Sequence, residues 1–318
     1  MDASTKTLLS GLFWGGIAVA VLSGSLVMLR LGVQTSLTPF DLAALRFGIA
    51  ALLLVGVIWR RGWAMDKLGV LGVLALVTCN GAPYIMVLSF GFQFAPASDA
   101  GAINPGLMAV FVGILGWIFL GENMRVAKIA GILAVLAGTA LFTDLLTLRQ
   151  ASFGHLIFAI TGGMWASYVI IVRKTNLPAL HATAIVAVGS ALSFLPVYLV
   201  FFGGQILQAP VRDIAAQAIY QGALTGALAV FAFTKSTEYL GASAGAALTA
   251  LIPIVTLIMG AAFLGETVDG WKIFACALVG LGVFLTLYAQ RSSAASRRSE
   301  MTEQQTTPRQ WPTGESGA

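Results

Sequence analysis

The chain has 318 residues, 58% of them apolar and only 10% charged, with a formal net charge of +5 at pH 7. A soluble domain carries about 25% charged residues, so too little polar surface remains here to coat a water-soluble globule. Two histidines and 13 acidic residues leave few groups for hydrolytic or metal chemistry. The basic residues lie between apolar runs rather than together on one nucleic-acid-binding face, and Cys79 and Cys276 sit inside apolar stretches, which excludes a disulfide framework or a zinc motif.

Runs of about 20 apolar residues, the length that crosses a bilayer core, recur along the chain. Their cores fall at 8–29, 39–59, 68–92, 99–120, 126–146, 153–172, 180–202, 214–234, 243–264 and 270–289, which makes ten spans. The fifth has the shortest uncharged stretch, Ile129 to Thr143, closed by Asp144. None alternates polar with apolar residues as barrel strands do. Lys6 before the first run could mimic a signal peptide, but that run is too long for an h-region and has no clean cleavage site. The polar, Ser/Thr/Gln-rich segment from Arg291 to Ala318 reads as a disordered tail.

The basic residues orient the spans. With the N-terminus in the cytoplasm, Arg60, Arg61, Lys67, Arg125, Lys128, Arg173, Lys174 and Lys235 all fall inside, whereas Arg30, Arg149, Arg212 and Lys272 fall outside. That asymmetry places the chain in the cytoplasmic (inner) membrane with both termini in the cytoplasm.

An internal repeat carries the most information. At a constant offset of 144, Ala100-Gly101-Ala102, Leu107, Gly116, Phe119 to Glu122, Lys128 and Ile129 find identical residues, from Ala244-Gly245-Ala246 through Phe263 to Glu266 and on to Lys272 and Ile273. Trp14 in the first span is echoed by Trp165 in the sixth. The unit therefore contains five spans, 8–146 and then 153–290, followed by a cytoplasmic tail at 291–318. An odd number of spans makes the second copy enter the membrane from the opposite side. The predicted fold is an all-α membrane protein of ten transmembrane helices built as two inverted five-helix repeats, the arrangement of alternating-access transporters with a midplane site.

Particular residues stand out against that background. The glycine of each Leu-Gly-Glu (Leu120–Glu122, Leu264–Glu266) supplies a left-handed helix stop, and each glutamate is expected to cap the helix that follows. Arg46 lies about two turns inside the second span, where an arginine costs at least about 2.5 kcal/mol unless paired or facing water. Snorkelling, a structural pair with a carbonyl or with Asp99, and an anion-attracting role above a cavity all stay open for it. Asp99 follows Pro96-Ala97-Ser98, an N-cap context, and remains with Glu238 and Arg46 a candidate for charge or gating. Glu238 and Lys235 sit at a span end, where they can solvate. Asn80-Gly81-Ala82-Pro83, Asn104-Pro105 and Pro253 mark places where backbone can open toward a cavity. Gly241-Ala-Ser-Ala-Gly245 matches a nucleophile elbow, but it joins two membrane spans with no histidine in reach, so it carries no hydrolase reading. No ATP-binding or metalloprotease pattern occurs.

With TPFDLAALRF in the second span, PASDAGAINP…FLGE in the fourth and GASAGAALTALIP…FLGE in the ninth, residues 8–290 resemble the EamA-type members of the drug/metabolite transporter superfamily. The resemblance implies a basket of spans 1, 3, 4, 6, 8 and 9 around a central cavity, with spans 5 and 10 behind it. It also implies export of amino acids, nucleosides or other metabolites. Carried onto this chain, the cavity would be lined by Trp14, Asn80, Tyr84, Asn104, Trp165, Tyr168, Thr225 and Thr249. Two departures stand out: Pro253 lies one turn deeper than Asn104-Pro105, and the first span lacks the lysine many relatives carry. The expected function is secondary transport, in the export direction, of small organic metabolites such as amino acids or related amphipathic compounds. It needs no cofactor and no nucleic acid; a small-molecule substrate and the lipid bilayer are its partners. Coupling to a proton or other gradient, and a homodimer, stay open. The alternatives are a non-transporting accessory subunit, which predicts Asn80 and Asn104 sealed by helix contacts, and an intramembrane enzyme, for which no nucleophile, metal set or carboxylate pair is present.

Overall fold

The computed structural model of the chain describes the backbone at 3–124, 126–142 and 153–286, and the side chains of these stretches apart from 3–6 and 241–247. The expected tail, the far ends of the fifth and tenth spans, Arg125 and Arg149 lie outside the described residues. Within them every regular element is helical, with seven helical stretches long and apolar enough to cross a bilayer and three shorter apolar helices. Outward side chains such as Leu52, Leu71, Leu199 and Val200 are exposed, as lipid-facing residues are.

Helix α1 (Ala3–Gln34) leads to α2 (Pro39–Arg61). The start of α2 is a capping box: the Asp41 backbone N–H donates to Thr38 Oγ1, and the Thr38 N–H donates to the Asp41 carboxylate at 2.7 Å. The third span is two helices, α3 (Met65–Asn80) and α4 (Ala82–Gly91), broken at Gly81. Pro83 falls in the first turn of α4, where its missing N–H leaves no carbonyl unpaired, and the Ala82 N–H donates to Ser190 Oγ at 3.1 Å. Helix α5 (Ala97–Leu120) runs through Pro105 without a break, and α6 (Val126–Phe142) follows.

In the second half, α7 (Phe153–Thr175) and α8 (Ala179–Phe201) are regular. The eighth span begins as α9 (Val211–Gln217), continues as a π-helix over Ala218–Leu228, and becomes α10 (Ala229–Thr249). A turn at Ala250-Leu251 precedes α11 (Ile252–Leu264), with Pro253 in its first turn, and α12 (Gly270–Thr286) completes the described chain. The eighth span runs past the expected 234 to Leu240, with Lys235 and Glu238 paired along its surface at 2.7 Å.

Contacts along shared helices give directions. Gly11 meets Leu240 and Gly24 meets Tyr220, so α1 and the eighth span are antiparallel. Leu248 then returns to Gly15 and Met259 reaches Gly24, so the chain reverses between Leu240 and Leu248 and α11 runs parallel to α1. Helices α5 and α7 are parallel, with Asp99 beside His155 near one end and Glu122 beside Arg173 at the other. Helices α5 and α11 are antiparallel, since Gly101 meets Thr256 while Glu266 reaches Ala97. Behind α5, α6 and α12 pack closely: a Cβ at Gly131 would approach Thr286, and one at Gly138 or Gly282 would approach Val279 or Val135. This is where the family resemblance places spans 5 and 10.

Both Leu-Gly-Glu motifs stop their helices as the sequence predicts. Gly121 and Gly265 sit at φ +60° and +66°, and their N–H groups donate back to Gly116 and Gly260. A second glycine explains the rest of the repeated motif. A Cβ on Gly116 or Gly260 would lie 2.7 or 2.6 Å from the carboxylate of Glu122 or Glu266, so each glutamate folds back over the last turn of its own helix. Gly265→Ala meets no neighbouring atom. It is therefore expected to destabilise the protein only through the left-handed backbone, by about 1 kcal/mol, read as a lowered unfolding temperature in detergent.

Candidate substrate site

A bilayer core satisfies no polar group, so polar side chains at depth must find one another or face water. Six such residues form one layer: Ser25 from α1, Arg46 from α2, Tyr84 from α4, Asn104 from α5, Thr161 from α7 and Gln221 from the π-helix. Each lies seven to ten residues from the end of its span on the Asp99 side, about 10–15 Å along the axis.

The layer has two clusters. In the first, Gln221 is locked to α1 by its Nε2, which donates to the Ser25 carbonyl, while Ser25 Oγ donates to Gln221 Oε1, both at 2.9 Å. Arg46 Nη1 donates to the same Oε1 at 2.9 Å and to Ser25 Oγ at 3.3 Å. In the second, Asn104 Nδ2 donates to Thr161 Oγ1 at 2.7 Å, the Tyr84 hydroxyl donates to Asn104 Oδ1 at 3.4 Å, and Thr161 bonds back to the Ile157 carbonyl at 3.0 Å. Tyr84 lies within electrostatic range of the Arg46 guanidinium, which links the clusters. The π-helix gives Gln221 its place. The Thr225 hydroxyl bonds the Tyr220 carbonyl in the widened turn, and Gly222 and Gly226 let this segment press on Ile49 and Ala50 of α2.

The expected cavity residues divide. Tyr84, Asn104 and Thr225 are buried, and Asn104, 1% exposed, has both ends of its amide engaged. Asn80, Trp165, Tyr168 and Thr249 are half-buried. Asn80 ends α3 at the break, and Trp165 and Tyr168 pack against the main apolar core. Trp14 is half-buried edge-on to Phe231 of α10, at a helix contact. A cavity of about 620 Å³ opens between α3 and α7 at the Glu122 end, lined by Lys67, Leu68, Gly72, Ile171, Lys174 and Asn176 among others. None of the expected residues lines it.

The charged residues depart from expectation. Asp99 does not cap α5; Pro96 holds the N-cap position, and the Asp99 carboxylate lies 2.7 Å from His155 Nε2 on α7. The cap comes from the other half of the chain: Glu266 accepts from the Ala97 and Ser98 N–H groups at 2.6 and 2.9 Å. The glutamate therefore caps a helix N-terminus, as its charge requires, but that of α5 rather than of the helix after it. Glu122 forms ion pairs with Arg173 and with Lys128, the latter at 3.0 Å. Arg46 does not meet Asp99. Glu238 is exposed and pairs with Lys235.

Further bridges join α2 to α8 at both ends. The Tyr198 hydroxyl donates to buried Asp41 at 2.5 Å on the Asp99 side, and His181 Nε2 lies 2.9 Å from the Gly62 carbonyl on the other. Ser25, Thr161, Gln221, Asp41 and His155 were not singled out from sequence. Gln221 carries the clearest signal, an amide in mid-span like Asn80 and Asn104.

Helices long and apolar enough to cross a bilayer, packed around a buried polar layer, define a multi-span membrane protein. The sequence profile described as the EamA-like transporter family matches the chain twice, over 9–143 and 152–288. The chain belongs to that family and is a transporter, not an enzyme. It is 26% identical over 303 residues to a protein of Archaeoglobus fulgidus described as an uncharacterized transporter, covering 91% of this chain and 99% of that one. It is 28% identical over 281 residues to a "probable terminal-alkyne amino-acid exporter" of Streptantibioticus cattleyicolor, covering 84% and 86%. One solved crystal structure aligns with a TM-score of 0.55 at 20% identity, covering 93% of this chain and 99% of that one, a likeness of fold.

Lys128 is 1% exposed and Glu122 is its ion-pair partner. Glu122→Gln should therefore destabilise the protein by about 3–5 kcal/mol, because a buried ammonium is left uncompensated. Glu122→Gln combined with Lys128→Met should recover much of that loss in the same thermal-unfolding measurement.

Proposed function

We propose that the protein is a secondary exporter of small organic metabolites, amino acids or related amphipathic compounds, working by alternating access in the cytoplasmic membrane. The observation that carries this reading is the polar layer. Six side chains drawn from both halves of the chain meet at a depth where packing alone would select apolar residues.

The two halves, 8–146 and 153–290, act as inverted repeats. Support comes from α5 running parallel to α7 and antiparallel to α11, which itself runs parallel to α1. The Glu122 end faces the cytoplasm, in keeping with Arg60, Arg61, Lys67, Lys128, Arg173, Lys174 and Lys235 all lying toward it.

Transport requires the bridges between halves to open in turn. On the outer side these are Glu266 to α5, Asp99 to His155 and Asp41 to Tyr198; on the inner side they are Glu122 to Arg173 and His181 to Gly62. The backbone breaks at Gly81 and at Ala250-Leu251 are the places where helices bend, whereas Pro105 lies in an unbroken helix. A gradient of protons or another solute supplies the energy. The name of the Streptantibioticus relative favours amino acids within this class.

A second reading, a non-transporting accessory subunit, is favoured by the full engagement of Asn104. Reconstitution separates the two. Proteoliposomes preloaded with a panel of amino acids and metabolites, with and without a pH gradient, should release at least one solute faster than empty controls; no release across the panel supports the subunit. In the active system, Trp165→Ala and Asn104→Ala should each slow efflux about tenfold with expression intact, the effect of losing about 1.4 kcal/mol of interaction. Wild-type rates in both would remove them from the site.

A further inference from the structure

We propose that Arg46 anchors the carboxylate of the transported solute, so that the cargo is a small organic molecule bearing one carboxylate; this rests on the transporter reading above. Arginine keeps its charge in a protein, so burial cannot be relieved by deprotonation. A guanidinium about 10 Å inside a span must meet an anion or water. Among the described residues no carboxylate lies within ion-pair distance of Arg46. The acids that could serve are engaged elsewhere: Asp41 with Tyr198, Asp99 with His155, Glu122 with Arg173 and Lys128, and Glu266 with the start of α5.

The hydrogen bonds of Arg46 are equally one-sided. Only Nη1 is used, and both its acceptors, Gln221 Oε1 and Ser25 Oγ, are neutral. Nε and Nη2 have no acceptor among the described residues, and Arg46 is half-buried rather than enclosed. Together these two donors form the edge that binds a carboxylate through two parallel bonds.

Gln221 has its own part. Its Nε2 is held by the Ser25 carbonyl, so its Oε1 must point at Arg46, fixing one side of the guanidinium and leaving the other free. The site also limits cargo charge. Arg46 is the one formal charge in the layer with Ser25, Tyr84, Asn104, Thr161 and Gln221, so it balances a single carboxylate. A phosphate dianion would call for a second cation.

The test uses purified full-length protein in nanodiscs and proteoliposomes. The probes are L-leucine, L-phenylalanine, L-threonine and L-tryptophan, each beside its amide. Phenylglyoxal, which reacts with accessible arginines, should label Arg46 as read by mass spectrometry. At least one amino acid should protect it, and its amide should not. Transport of that amino acid should weaken about tenfold or more in Arg46→Gln, with Arg46→Lys in between. Gln221→Glu supplies an internal counter-ion to Arg46 at the loss of the Nε2 bond to the Ser25 carbonyl; with folding checked by thermal unfolding, it should abolish both the protection and the preference for acid over amide. The proposal is overturned by Arg46 that resists labelling, by equal protection from acid and amide, by no protection across the panel, or by an unchanged acid preference in Gln221→Glu. The protection measurement requires no flux, so a protein that transports nothing but shows acid-selective protection would sink the transporter reading and leave the anion site standing.

Discussion

Hydrocarbon offers no hydrogen bonds, and this single condition accounts for most of what distinguishes the structure from a bundle of greasy helices. Where the backbone breaks at Gly81, the freed N–H of Ala82 is met by Ser190 from α8. Where α5 begins without a capping side chain of its own, Glu266 reaches over from the end of α11. Where Gln221 enters a span, its amide is matched at both ends by Ser25. In all three cases the partner comes from the other half of the chain, so neither half satisfies its polar groups alone.

The two halves are related by sequence but not used identically. Gly116 and Gly260 let the glutamate of each Leu-Gly-Glu fold over its own helix end in the same way. Beyond that point they diverge. Glu266 meets backbone N–H groups, whereas Glu122 meets two cations, one of them fully buried. One motif thus serves as a helix cap on one side of the membrane and as the centre of an ion-pair cluster on the other.

Much of this was legible in the residues. The recurrence of membrane-crossing helices, the glycine stops and the break before Pro83 follow from hydropathy and backbone chemistry, both of which act over short stretches of chain. The partners of the charged residues were not legible. Asp99 reads as an N-cap from Pro96-Ala97-Ser98, yet it sits three residues too far along α5 and turns to His155, which lies 56 residues away in the chain. The helical stretch from 234 to Leu240 was hidden because a Lys-Glu pair that solvates a helix surface looks the same in sequence as one that ends it.

The candidate site divides along the same line. Asn80, Asn104 and Arg46 are conspicuous because polar groups are rare in apolar runs, and rarity can be seen without coordinates. Ser25, Thr161 and Gln221 become part of a site only through three-dimensional neighbours. A serine or threonine can spend its hydroxyl on its own helix, as Thr225 does, and nothing local says which will. Composition and periodicity alone determined that this chain crosses the bilayer many times in two related halves, since burying apolar length is a local requirement. Which polar groups meet, and that Arg46 has neutral partners while every nearby acid is engaged, was decided only by tertiary structure, because hydrogen bonds and ion pairs depend on a few ångströms between residues far apart in the chain.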